Sequence, residues 1–278
     1  IAYLLDRSRS GDVVALDTEF STMDDTLPTS RAILTGLSMA GGTPETGYQG
    51  GFWSFKEGYV THEWGYLRDK LLIPIFSDPA RTVVMHPPKT DMQILQPRGI
   101  TEAVVRCKTE CTMSAVHIYD ENLPKGLKDL GHHLLHLDVI SHSKMQAKMK
   151  ALASEGKKLT RAVLTAAWEV YKEHRKPKDA PVESVIDPTW EPWRKLAMKL
   201  PRKLTKTEFT ARTKIIETVI AKDYRDKAHH EFATYGARDA LITIALRYWL
   251  KAHTPPALQE HIDRETLICH PIVTEMEE

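Results

Sequence analysis

A chain of 278 residues, 42% of them apolar, is long enough for one large domain or two small ones and can pack a core. It has no run of about 18 apolar residues that would span a bilayer, no signal-peptide pattern, and only three cysteines, too few for a disulfide framework. Its net charge of +1 hides a division: residues 142–227 hold 21 Lys/Arg against 11 Asp/Glu, leaving 17 against 26 elsewhere, so this part either faces a polyanion or presents solvated Lys-rich helices. Reduced thiols and the missing leader point to an intracellular protein, cytoplasmic if its source is bacterial or viral. A first residue of Ile1 rather than Met leads us to expect a piece of something longer.

The first element is a strand over 13–20, in which four apolar residues, Val13 to Leu16, run into Asp17-Thr-Glu19-Phe20. Strand side chains alternate, so Val13, Ala15, Asp17 and Glu19 share one face. Two carboxylates on one face at the end of an apolar strand repel each other and resist desolvation. A divalent cation between them resolves the conflict, because hard cations take oxygen ligands; an exposed acidic turn is the plainer alternative. Strands are also expected over 31–40 and 48–55, split by the turn signal Gly41-Gly-Thr-Pro44, and short turns favour antiparallel pairing. A helix follows over 62–77, with Trp64, Leu67, Leu71 and Ile75 at helical spacing. Next come a strand over 81–86 stopped by Pro87-Pro88, a short helix over 89–96 and a strand near 103–107. Helices over 109–119 and 125–137 complete this half, giving an α/β mixed sheet.

From about 140 to 227 strand signals stop. Helical patterns cover 143–155, 159–174, 191–199 and 205–222, around a Pro-spaced segment over 176–193, so 141–227 is expected to form a basic helical insertion between domain parts 1–140 and 228–278. A helix over 229–253 then carries the stripe Phe232, Tyr235, Asp239, Ile242, Leu246 and Trp249. Asp239 therefore falls on an otherwise apolar face, one turn after Tyr235, where a carboxylate must be ion-paired or metal-bound. Thr254-Pro-Pro256 ends the helix, and a last one runs to the C-terminus. His132, His133 and His136 lack a third ligand at a metal-binding spacing and are expected to pack or lie on the surface, and Trp190 and Trp193 are expected to pack the insertion.

Three segments in order, Asp17-Thr-Glu19, His86-Pro-Pro-Lys-Thr-Asp91-Met-Gln-Ile-Leu95 and Tyr235-Gly-Ala-Arg-Asp239, resemble the 3′–5′ exonuclease superfamily named for its four acidic residues, in the branch with a tyrosine. Tyr119-Asp-Glu-Asn-Leu-Pro-Lys-Gly-Leu-Lys-Asp-Leu130 and the ending Glu265 to Glu277 are similar to proofreading domains of family A DNA polymerases. The resemblance implies an RNase H-like mixed β-sheet flanked by helices and a 3′–5′ exonuclease using two divalent ions, Mg2+ or Mn2+. It makes Asp17, Glu19, Asp91 and Asp239 the metal ligands and Tyr235 the residue that orients the attacking water. It places an apolar wedge at Met23 beside the terminal base, and leaves His86 as a nucleic-acid contact. The implied partners are a single-stranded DNA 3′ end or frayed primer terminus and a polymerase domain C-terminal to this chain. The second motif departs from the family pattern: Pro87 stands where an Asn is usual and Thr90 where an aromatic is usual. Two alternatives stay open, an exoribonuclease of the RNase D type and a weakened exonuclease fold that only binds nucleic acid.

Overall fold

The computed structural model describes residues 13–21, 32–55, 61–173 and 205–275. Met23, the segment over 176–193 with Trp190 and Trp193, and the helix expected over 191–199 lie outside the described residues. The chain divides into two compact units, one of residues 1–141 with 233–278 and one of residues 142–232.

The first unit is organised on β1 (Val13–Ser21), β2 (Ile33–Thr43), β3 (Gly47–Ser54), β4 (Thr82–Met85) and β5 (Lys108–Cys111), in the order β3-β2-β1-β4-β5. The first three strands pair antiparallel, as their short turns predicted, while β4 and β5 run parallel to β1. β1 is thus central, and a central strand covered on both faces needs apolar residues on both. Val14 and Leu16 enter the larger core with Leu37, Met39, Phe76 and Ile94. Val13 and Ala15 face a second cluster containing Ala40, Val84, Ala240 and Ile244. The small side chains Ala15, Ala40 and Ala240 let a helix lie close over this face, and the line Val13, Ala15 continues into Asp17 and Glu19.

Helix α1 (Thr61–Leu67) passes through a π-helical turn, Arg68–Leu72, into α2 (Ile73–Phe76). Leu71 and Leu72 of this turn are both buried in the larger core. The remaining helices are α3 (Pro88–Leu95), α4 (Thr112–Tyr119), α5 (Leu127–Leu135), α6 (His142–Glu173), α7 (Lys206–His253) and α8 (Pro256–Glu275). Val116, Leu130, Leu246, Leu250 and Ile262 join α4, α5, α7 and α8 in a further cluster. In the second unit, Val163 of α6 packs on Ile216 and Ile220 of α7.

Three expectations are corrected. The strand expected near 103–107 is a turn whose Val104 and Val105 pack on the core, and the strand itself is Lys108–Cys111. Its buried residues are Cys111 and Glu110, and Glu110 is held by Arg247 of α7 at 2.7 Å, so charge pairing stands in part of the strand where an apolar pattern marks the others. The helices expected over 143–155 and 159–174 are one helix, α6. Gly156 does not break it, because the Tyr224 ring packs where a β-carbon would sit, 2.9 Å from that position. The segments over 205–222 and 229–253 are likewise one helix, α7; the polar stretch between them holds neither Gly nor Pro, and nothing interrupts the backbone hydrogen bonding.

Candidate active site

β1 and α7 bring three carboxylates together. Asp17 and Glu19 leave β1 on the face covered by α7, where Ala240 packs against the sheet and Asp239 precedes it. A bulge between Glu19 and Phe20 shifts the pairing with β2 from Gly36 opposite Glu19 to Leu34 opposite Phe20, ending the regular ladder beside the acidic pair. Ligand oxygens of Asp17, Glu19 and Asp239 all lie within 4.8 Å of one another. Asp239 is only 5% exposed, and Tyr235, one turn earlier on the same face, is also buried.

Asp91 stands beside this trio in the first turn of α3. Its Oδ1 accepts from the backbone N–H of Thr18 at 2.9 Å and from the Thr18 hydroxyl at 2.7 Å. The residue between the two acids of β1 therefore anchors the acid of α3. Thr18 is a site residue that the sequence did not single out, since its alternate position on the strand carried no chemical mark.

The electrostatics are those of carboxyls under compression. Burial raises the Asp17 carboxyl well above its usual value, repulsion from Asp91, Asp239 and Glu19 adds to this, and Lys128 opposes it. Burial, then Asp239, raises Glu19 to about 7, again against Lys128. Burial raises Asp91 to about 7 although both Thr18 hydrogen bonds favour its charged form. Three carboxylate oxygens within 4.8 Å of one another, from Asp17, Glu19 and Asp239, two of them on carboxyls with raised proton affinities, are the donor set a hard divalent cation fits, since it replaces the repulsion with attraction.

Lys128, in the first turn of α5, is the second residue that sequence reasoning missed. Its ammonium donates to Asp239 Oδ2 at 2.9 Å and to the Tyr235 oxygen, and it lies 4.0 Å from the Tyr235 ring centre. The sequence sets Lys128 within the Tyr119–Leu130 segment but assigns it no role, which emerges only when the fold sets it against α7. Burial, the largest influence, pulls its proton affinity down, and the Asp239 carboxylate and the Tyr235 oxygen together more than offset this, so the Lys128 ammonium is held charged. Burial raises the Tyr235 hydroxyl, with the Lys128 hydrogen bond working the other way.

His86 supports the loop that leads to Lys128. Its Nε2 lies 2.8 Å from the Lys125 carbonyl and its Nδ1 2.8 Å from the Thr112 hydroxyl. A carbonyl can only accept, so Nε2 carries the proton and Nδ1 of the neutral ring accepts from Thr112. Burial keeps the ring below its ordinary proton affinity, with the bond to Lys125 opposing. Both ring nitrogens of His86 are thus engaged within the protein.

Gly236, next to Tyr235, controls how closely α7 approaches the sheet. A β-carbon there would lie 2.3 Å from the Phe52 ring of β3, and one at Gly36 would lie 2.2 Å from the same ring. Phe52 therefore fills a slot between two glycines. Gly236→Ala should cost about 1–3 kcal/mol through overpacking and lower kcat by pushing Asp239 away from β1. A double-mutant cycle with Phe52→Leu checks this by denaturant melts and initial rates. Strict additivity would mean that the glycine does not act through Phe52.

The sequence pattern described as 3′–5′ exonuclease matches residues 1–169 of this chain, more than half of it. The matched span holds Asp17, Glu19, Asp91 and Lys128, while Tyr235 and Asp239 lie beyond it and reach the site through α7. No curated protein matches the chain.

Proposed function

The chain belongs to the 3′–5′ exonuclease family and is a nuclease hydrolase, and we propose that it removes nucleotides one at a time from DNA 3′ ends with two divalent ions. The observation that carries this reading is the gathering of Asp17, Glu19 and Asp239 oxygens within 4.8 Å. Asp17, Glu19 and Asp239 would hold one Mg2+ or Mn2+, and Asp17 with Asp91 the other. When bound, such ions lower the pKa of water and stabilise charge on the departing 3′ oxygen.

The chain's own residues supply the rest. Tyr235 presents a buried hydroxyl beside Asp239, where it orients the attacking water in line with the terminal phosphodiester. Thr18 fixes Asp91 by two hydrogen bonds, so that this acid arrives already positioned. Apolar packing of Ala240 on Ala15 and Ala40 keeps α7 at a set distance from β1. Met23 is assigned as the wedge beside the terminal base, and the Lys and Arg of 141–227 as contacts to the backbone of the bound strand. Residues 1–140 and 228–278 would form one exonuclease domain, whose last helix leads to a family A DNA polymerase in a proofreading arrangement.

The test is digestion of matched 5′-labelled single-stranded DNA and RNA, with Mg2+ or Mn2+, at two salt concentrations. A ladder shortening from the DNA 3′ end, with affinity weakening as salt rises, is expected. A preference for RNA would replace the substrate by that of an RNase D-type enzyme. Binding without shortening would reduce the chain to a nucleic-acid-binding module.

A further inference from the structure

We infer that Lys128 is an exchangeable counter-ion of the acidic site: it neutralises Asp239 in the metal-free protein and gives way when a divalent cation enters. This rests on the metal-dependent reading above. The carboxylate whose Oδ2 accepts from Lys128 at 2.9 Å also offers an oxygen within 4.8 Å of oxygens of Asp17 and Glu19. An ammonium and a dication on one carboxylate repel each other. Mg2+ needs the oxygen at about 2.0–2.1 Å, and a charge already bonded to the same carboxylate would then lie beside it.

The side chain is built for such an exchange. Lys128 sits at the second position of α5 after Gly126, with a long stem and a 24% exposed side chain. Its ammonium rests on the face and oxygen of Tyr235 as well as on Asp239, so leaving the carboxylate does not strip it of every contact. His86 fixes the loop at Lys125, three residues upstream, which confines the motion to the lysine side chain. Lys128 is in this sense a positioning residue: it prevents the acids from splaying before the ion arrives.

Two measurements on the whole chain test the exchange. In the first, Mn2+ affinity is read by titration calorimetry for wild type, Lys128→Gln and Lys128→Arg. Removing the competing charge should tighten binding about tenfold in the glutamine variant, while its melting temperature in chelator falls; arginine should stay near wild type. A purely structural lysine would instead leave affinity unchanged or weakened on substitution. In the second, wild type is acetylated with and without Mn2+, and labelling of Lys128 is followed by mass spectrometry against the exposed Lys150. Faster labelling of Lys128 with metal is expected, and this arm does not depend on any variant folding. Mn2+ binding with unchanged labelling and affinity would overturn the exchange alone. Absence of Mn2+ binding would overturn the metal-dependent reading with it.

Discussion

Replacing Asp17 with alanine is expected to slow release of 3′ nucleotides about a thousandfold, the rate equivalent of roughly 4 kcal/mol, and to raise the melting temperature of the metal-free protein. The two effects share one cause. Burial first, and then the charges of Asp91, Asp239 and Glu19, make ionised Asp17 unwelcome in the cluster. Its backbone carbonyl accepts from Ser38 at 3.3 Å, a bond that alanine retains. Deleting the carboxyl therefore removes repulsion and little packing, while taking away the one ligand proposed to serve both ions. Glu110 provides the contrast within the same unit. It is as deeply set, yet although burial works against its charge, Arg247 at 2.7 Å and the cations of Lys251 and Lys108 hold its carboxyl below the usual range. One acid is neutralised by its own fold and the other is not, and the second is where an added cation gains most. Gel analysis of a 5′-labelled strand, together with thermal melts in chelator, checks both halves. A variant that still shortens the strand and melts lower would remove Asp17 from the site.

The alternation along β1 is enough to set Asp17 and Glu19 on one face, because a strand has a period of two whatever surrounds it. The stripe of α7 likewise marks Asp239 as buried, because a helical period is local. These two local rules made the acidic cluster legible once Tyr235 and Asp239 were seen to lie on one face. The fold class followed from short turns between the first strands and helices between the later ones. What stayed hidden depended on contacts distant in the chain. β5 was misplaced because its buried Glu110 is neutralised by Arg247, 137 residues away. The continuity of α6 between 155 and 159 was hidden because the Tyr224 ring that packs at Gly156 lies on another helix. Lys128 and Thr18 belong to the same class, ordinary residues whose role exists only after α5 meets α7 and α3 meets β1.

The metal-free protein should lose stability as pH rises through neutrality, and divalent ions should reverse that slope. Asp17, Glu19 and Asp91 all bind protons more tightly in the fold than in the unfolded chain, with Glu19 and Asp91 at about 7. Groups with raised values contribute stability fully below their unfolded values near 4 and lose it as pH climbs through the folded ones. The neutral His86 ring works in the opposite direction below about 6.5, but one imidazole does not outweigh three carboxyls. Glu110, with its lowered value, adds stability that disappears only as pH falls through the acid range. The optimum in chelator therefore lies on the acid side of neutrality. The loss from there to alkaline pH is several kcal/mol, a fall on the order of 10 °C in melting temperature. Divalent ions bind only the ionised carboxylates, so with millimolar Mg2+ or Mn2+ the melting temperature should rise over the same range, and the two curves should separate most above neutrality. Melts in chelator and in metal between about pH 5 and 9 measure this directly. A flat or rising curve in chelator would mean that the acids are already neutralised by the protein itself, and such a cluster would have no physical reason to recruit an ion.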